Sequence, residues 1–82
     1  MPVRRARTVE EAFGAVLREL RKSKGLSQER LGYDADSGRT YISQLERGER
    51  GPSLKMVFRL AESLGIAPSE IVARVATLLR NR

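Results

Sequence analysis

The segment LSQERLGYDADSGRTYISQLERGERGPSL, residues 26–54, carries the pattern that decides the fold. Ser27 caps a short helix, residues 34–38 have the composition of a turn, and a second short helix follows over about 39–47. Two short helices joined by a tight turn let the second protrude while the first braces it. Gly32 supplies the small residue that such a crossing requires. Apolar residues able to anchor both helices lie around it: Leu31, Ala35, Ile42 and Leu45.

One helix precedes this pair. Thr8 is its predicted N-cap, Glu11 three residues later completes a capping box, and Gly25 ends the helix. Apolar residues follow at helical spacing: Val9, Phe13, Val16, Leu17 and Leu20. The last four of these are predicted to lie in the core.

Two more helices follow the pair. Ser53 caps the fourth helix, which Gly65 ends, and Pro68 opens the fifth, over about 68–80. The predicted inner face of the fourth helix comprises Leu54, Val57, Phe58, Ala61 and Leu64. No segment shows the sustained alternation of a strand. The sequence therefore predicts an all-α domain of five helices.

The fifth helix has a wider apolar surface than a monomer usually needs. One row contains Ile71, Val75 and Leu78, and the adjacent row contains Val72, Ala76 and Leu79. Either both rows pack on the core, or one of them meets a second copy of the chain. We favour the second interpretation, with a dimer contact formed by Val72, Val75, Ala76 and Leu79.

The charge of the chain is consistent either with a polyanionic partner or with solubility alone. Sixteen Lys and Arg against ten Asp and Glu give a net charge of +6, and neutralised phosphates release condensed counterions. The positive excess lies in the flanks, because residues 27–52 hold four arginines and five acidic residues. Residues 1–7, with Arg4, Arg5 and Arg7, are predicted to be a flexible basic arm before a single domain over 8–82.

The sequence lacks the residues of common active sites. It has no Cys and no His, which excludes disulfides, thiolate zinc sites and the usual base near neutral pH. No phosphate-binding loop or metal cluster is apparent, so we expect no enzyme activity, no metal and no cofactor. No apolar run approaches the roughly 18 residues of a membrane span. We expect a cytoplasmic, nucleoid-associated protein without a membrane partner.

The outward face of the third helix carries side chains suited to base edges in a major groove. Arg pairs with guanine, Gln pairs with adenine, and Ser and Thr bond to either. These outward residues are Arg39, Thr40, Ser43, Gln44 and Arg47. A merely solvated helix face would more often mix Glu and Lys, so the composition favours a recognition helix.

Three ordered motifs carry a family resemblance: LSQERL (26–31), RTYISQLERG (39–48) and PSL (52–54). With them the chain, from about residue 13 to 71, resembles the helix-turn-helix family of phage repressors, Cro proteins and XRE-type regulators. Small stand-alone members include controller proteins of restriction–modification systems and prophage repressors. The resemblance implies a homodimer that binds double-stranded DNA with two-fold symmetry and regulates transcription.

The resemblance also implies roles for individual residues. Base reading falls to Arg39, Thr40, Ser43 and Gln44. Contacts to the DNA backbone fall to Gln28, Tyr41, Arg47 and Arg50. Arg21 and Glu46 match a buried ion pair between the first and third helices. From the sequence alone, two solvated charges would be the simpler interpretation of that pair.

The turn departs from the family pattern. Asp36 stands where the family usually has Gly, Ser37 replaces an apolar residue, and Gly38 replaces a polar cap. Asp tolerates a left-handed backbone and Gly can cap a helix, so the turn is feasible. Losing the apolar residue at 37 removes a core anchor and affects the angle of the recognition helix.

A second functional interpretation stays open. The chain could be an antitoxin-type interaction module whose apolar fifth helix holds a toxin and which autoregulates its operon. A toxin or the polymerase would then be a protein partner besides DNA.

Overall fold

The computed structural model describes residues 6–80, which form five α-helices and no strand. They are α1 (Val9–Ser23), α2 (Gln28–Asp34), α3 (Arg39–Glu46), α4 (Leu54–Leu64) and α5 (Pro68–Arg80). The predicted all-α architecture of five helices is confirmed. None of the described helices is long and apolar enough to cross a membrane.

Hydroxyl side chains begin three of the helices, as the sequence predicts. The oxygens of Thr8, Ser27 and Ser53 accept hydrogen bonds from backbone N–H groups three residues later, at 3.0, 3.0 and 3.1 Å. The predicted capping box of α1 is only half formed. Glu11 Oε1 accepts from the N–H of Arg7 at 2.8 Å instead of from the capping residue itself.

The core lies around α1, which packs against both α3 and α5, while α2 packs mainly on α3. Large side chains that are almost completely buried come from all five helices: Leu17, Leu31, Ile42, Leu45, Leu60, Leu64 and Ile71. The helix-turn-helix pair is thereby mounted on α1 rather than standing alone.

The predicted inner face of α4 is partly wrong. Leu54 and Phe58 are 72% and 56% exposed. The buried face contains Val57, Leu60 and Ala61 together with Leu64. Those four follow the i, i+3, i+4, i+7 spacing, whereas Phe58 lies one position, about 100°, beyond Val57 around the helix.

The folded part begins before the predicted boundary at residue 8. Ala6 is buried in the core, and the N–H of Arg7 bonds to Glu11. The last two residues of the predicted arm therefore belong to the domain, while Arg4 and Arg5 lie outside the described residues.

The two apolar rows of α5 have different environments. Ile71 and Val75 are buried against the core, Val72 and Ala76 are exposed, and Leu79 is half-buried. Val75 was predicted as a dimer contact, and this assignment is corrected because its side chain is already covered by its own chain. Val72 and Ala76 keep the exposure that such a contact needs.

Candidate nucleic-acid interface

Gly32 sets the distance between α2 and α3. A Cβ at this position would lie 2.8 Å from the carbonyl carbon of Gly38 and 2.9 Å from its oxygen. Real Cβ atoms do not approach backbone atoms so closely, so any larger residue would push the two helices apart. The predicted crossing at Gly32 is confirmed.

The unusual turn closes through its backbone. Asp36 adopts the left-handed region with φ 58°, as its short polar side chain allows. The N–H of Ser37 donates to the carbonyl of Gly32 at 2.7 Å, and Ser37 is half-buried. A short backbone hydrogen bond thus stands where the family has an apolar anchor. Gly38 caps α3 with extended backbone and no side-chain hydrogen bond.

Gly14 allows α1 to lie directly against the end of α3. A Cβ there would collide with the carbonyl oxygen of Leu45 and would lie 2.8 Å from that of Glu46. We did not identify this residue from the sequence. The available signal was a glycine inside an otherwise apolar helical pattern, which often marks a close approach.

Arg21 and Glu46 join α1 to the end of α3. Arg21 Nε donates to Glu46 Oε2 at 2.6 Å and Nη2 donates to Oε1 at 3.1 Å. A third donor, Nη1, reaches the carbonyl of Leu26 at 2.8 Å. The hydrogen bonds to Glu46 raise the pKa of Arg21 against the opposing effect of burial. The ion pair predicted from the resemblance is present.

Gln28 contributes to the same junction. Its Nε2 donates to Glu46 Oε1 at 3.0 Å, so the first residue of α2 is tied to the last residue of α3. The contact engages the amide nitrogen of Gln28 and not the carbonyl oxygen of its side chain. The assignment of Gln28 to the DNA backbone remains a prediction.

The predicted base-reading residues share one accessible side of α3. Arg39 and Thr40 are exposed at its first turn, and Ser43 and Gln44 are half-buried further along. Arg47 follows the helix as its C-cap, and its Nε pairs with Glu49 Oε2 at 2.7 Å. None of the five lies in the core.

A contact that the sequence did not predict links α3 to the loop after it. Arg50 Nη1 donates to Gln44 Oε1 at 3.3 Å. The guanidinium carbon of Arg50 also lies 4.8 Å from the centre of the Tyr41 ring. One residue predicted to read bases and two predicted to contact the backbone thus form a single cluster. Long side chains that meet across a loop leave no periodic signal in a sequence.

An apolar groove lies at the junction of α1, α4 and α5. It has a volume of about 300 Å³. Its lining is formed by Val9, Phe13, Pro52, Leu54, Val57, Ile71, Val72 and Val75. Three of these side chains, Val9, Leu54 and Val72, are more than half exposed, which is costly for an isolated apolar cluster.

Comparison with known proteins identifies one family. A family model described as helix-turn-helix matches residues 17–71. The control protein C.BamHI of Bacillus amyloliquefaciens is 41% identical over 61 residues, which span 73% of this chain and 75% of that protein.

Solved structures give the same result. The restriction-modification controller protein C.AhdI from Aeromonas hydrophila is 45% identical, with a TM-score of 0.73 over 76% of this chain and 94% of that one. The clp gene regulator ClgR from Corynebacterium glutamicum is 27% identical, with a TM-score of 0.85 over 89% of this chain and 78% of that one.

Proposed function

The chain belongs to the helix-turn-helix family, and on that premise we propose that it binds double-stranded DNA as a homodimer with α3 in the major groove. It is a transcriptional regulator of the controller type and not an enzyme. The operator should have two-fold symmetry, because two identical chains related by a two-fold axis present two identical helices.

The accessible polar side of α3 carries this proposal. Arg39, Thr40, Ser43 and Gln44 lie on it, and each has a side chain that can bond to base edges. Arg39 and Thr40 are exposed, while Ser43 and Gln44 are half-buried, with Arg50 of the following loop in contact with Gln44. A helix whose outer side is polar and accessible has the chemistry that a groove requires.

The rigid mount of α3 supports it further. Base readout requires side chains to be held in place by supporting contacts. Gly14 and Gly32 bring α1 and α2 against α3, and the Arg21–Glu46 pair fixes its last turn. These contacts hold α3 in a fixed position on the domain, as base readout requires.

Phosphate contacts follow from the charges beside α3. Arg47 and Glu49 are both more than half exposed, so their ion pair stabilises the free protein by less than about 1 kcal/mol. A phosphate can displace Glu49 at little cost. Tyr41, Gln28 and Arg50 are the further residues that we assign to the DNA backbone.

The apolar groove supports the dimer. Val72 and Leu54 are exposed around it, and a second copy would bury them. The chain measures 32 × 24 × 22 Å. For both copies of α3 to enter successive turns of the major groove, the dimer would have to hold them one turn of B-DNA, roughly 34 Å, apart.

Selection of bound sites from a random DNA pool tests the DNA-binding proposal. We expect a consensus of two inverted half-sites whose centres lie about 10 base pairs apart. Affinity for that site should also fall as salt rises, because bound phosphates release counterions. A pool that yields no consensus would contradict sequence-specific binding.

Light scattering on the purified protein tests the assembly. A dimer mass in the absence of DNA supports the proposal. A stable monomer that forms a complex only with a co-expressed protein would instead support the antitoxin-type interpretation.

A further inference from the structure

Two backbone hydrogen bonds join the last turn of α3 to the loop after it. The carbonyl of Gln44 accepts the N–H of Glu49 at 3.0 Å, and the carbonyl of Leu45 accepts the N–H of Gly48 at 3.1 Å. Gly48 has φ 74°, which completes the hydrogen-bond pattern of a glycine-terminated helix. The chain is thereby turned back, and the next residue but one, Arg50, reaches the side chain of Gln44.

The chemistry of this contact fixes the orientation of the Gln44 carboxamide. A guanidinium carries only donors, so the atom that faces Arg50 is the carbonyl oxygen of Gln44, at 3.3 Å. The amide NH2 group consequently points away from Arg50. Without Arg50, the amide could rotate by half a turn and present either its oxygen or its NH2 group.

Tyr41 holds Arg50 in place. The guanidinium carbon lies 4.8 Å from the ring centre, within the range of a cation–π contact. The ring is itself half-buried and packs against the core. Arg50 is therefore fixed between an aromatic surface and the amide that it orients.

We propose that Arg50 is a positioning residue for base selection, which orients Gln44 so that its amide presents donors to DNA. This inference rests on the proposed function of α3. A donor selects base edges that present acceptors, such as guanine O6 and N7 or thymine O4, over cytosine, whose N4 group is a donor. The base pair facing Gln44 is thus selected by two residues, although one side chain touches it.

Two matched variants test the proposal on DNA. Arg50→Met and Arg47→Met each remove one positive charge from the same loop region, so both lower the affinity for all sequences and flatten its salt dependence. The test compares binding to two operators, which carry guanine or cytosine at the position where Gln44→Ala relaxes the base preference. Arg50→Met should shrink the guanine preference about fivefold or more, while Arg47→Met should keep it.

A double variant separates positioning from direct reading. In the Gln44→Ala background, Arg50→Met should cause no further change in base preference. A further change there would mean that Arg50 reads the base itself, and equal preferences in Arg50→Met and the parent protein would make Arg50 a simple backbone contact. Either result overturns the inference while leaving the proposed function intact.

NMR on the free protein gives a readout without DNA. The side-chain NH2 signals of Gln44 should shift in Arg50→Met and stay in place in Arg47→Met. Unchanged Gln44 signals in both variants would overturn the inference. Failure of the proposed function would show separately, as a selection from the random DNA pool that yields no consensus sequence.

Discussion

The guanidinium of Arg21 and the carboxylate of Glu46 form a two-point ion pair between α1 and the last turn of α3, with side chains only 11% and 3% exposed. Glu46 also accepts a hydrogen bond from Gln28 at the start of α2. Three helices therefore meet at one carboxylate. The position of α3 depends on this junction as much as on apolar packing.

Removing one partner of the pair should be costly. Arg21→Met leaves the Glu46 charge buried without its partner, and the free energy of unfolding should fall by about 3–5 kcal/mol. Urea denaturation measures the difference. Arg30→Met is the matched control, since its ion pair with Asp34 is largely exposed on the arginine side and should contribute less than about 1 kcal/mol. Equal losses in both variants would show that the junction has no special role.

Gly32→Ala should separate α2 from α3. The new Cβ would meet backbone atoms of Gly38, and overpacking of this kind typically costs about 1–3 kcal/mol. Gly38→Ala is the control from the same contact, because a Cβ there meets nothing within 4 Å. Chemical denaturation of both variants compares them. A larger loss for Gly38→Ala would contradict the assigned crossing.

Arg39→Ala should relax base preference at one position of each half-site. The expected loss of discrimination is about 1–3 kcal/mol, measured by competition between operators that differ only at that position. Arg47→Ala serves as the comparison, and it should weaken binding to all sequences alike. If Arg39→Ala also weakens all sequences alike, Arg39 contacts the backbone and not a base.

Val72→Glu should yield monomers, because a charge placed in the apolar groove would be buried without a partner on dimerisation. Thr77→Glu adds the same charge to α5 at an exposed position outside the groove lining and should leave the dimer intact. Light scattering gives the two masses. A dimer that persists in Val72→Glu would exclude this groove as the interface.

Helix boundaries were predictable because they follow local chemistry. Thr8, Ser27 and Ser53 begin helices where their hydroxyl groups bond to backbone N–H groups. Gly25 and Gly48 follow helix ends with positive φ. The buried ion pair was predictable only through the family resemblance, since 25 residues separate its partners and no local rule connects them.

The structure differs from the sequence-based predictions where contacts between helices determine which residues are buried. Leu60 completes the i, i+3, i+4, i+7 pattern of the buried face of α4, and the packing of that face leaves Phe58 at its edge, 56% exposed. Gly14 shows its role only once α3 is placed against α1. The contact between Arg50 and Gln44 depends on how the loop turns after Gly48.

The convergence of α1, α2 and α3 on Glu46 has a consequence for how the protein responds to heat. Loosening α1 or α2 withdraws a hydrogen bond from Glu46, and loosening α3 removes the carboxylate itself, so partial melting of the motif is disfavoured. Occupancy of an operator should then decline in an all-or-none fashion with the folded population. On warming, regulation should therefore be lost over a narrow temperature range rather than gradually.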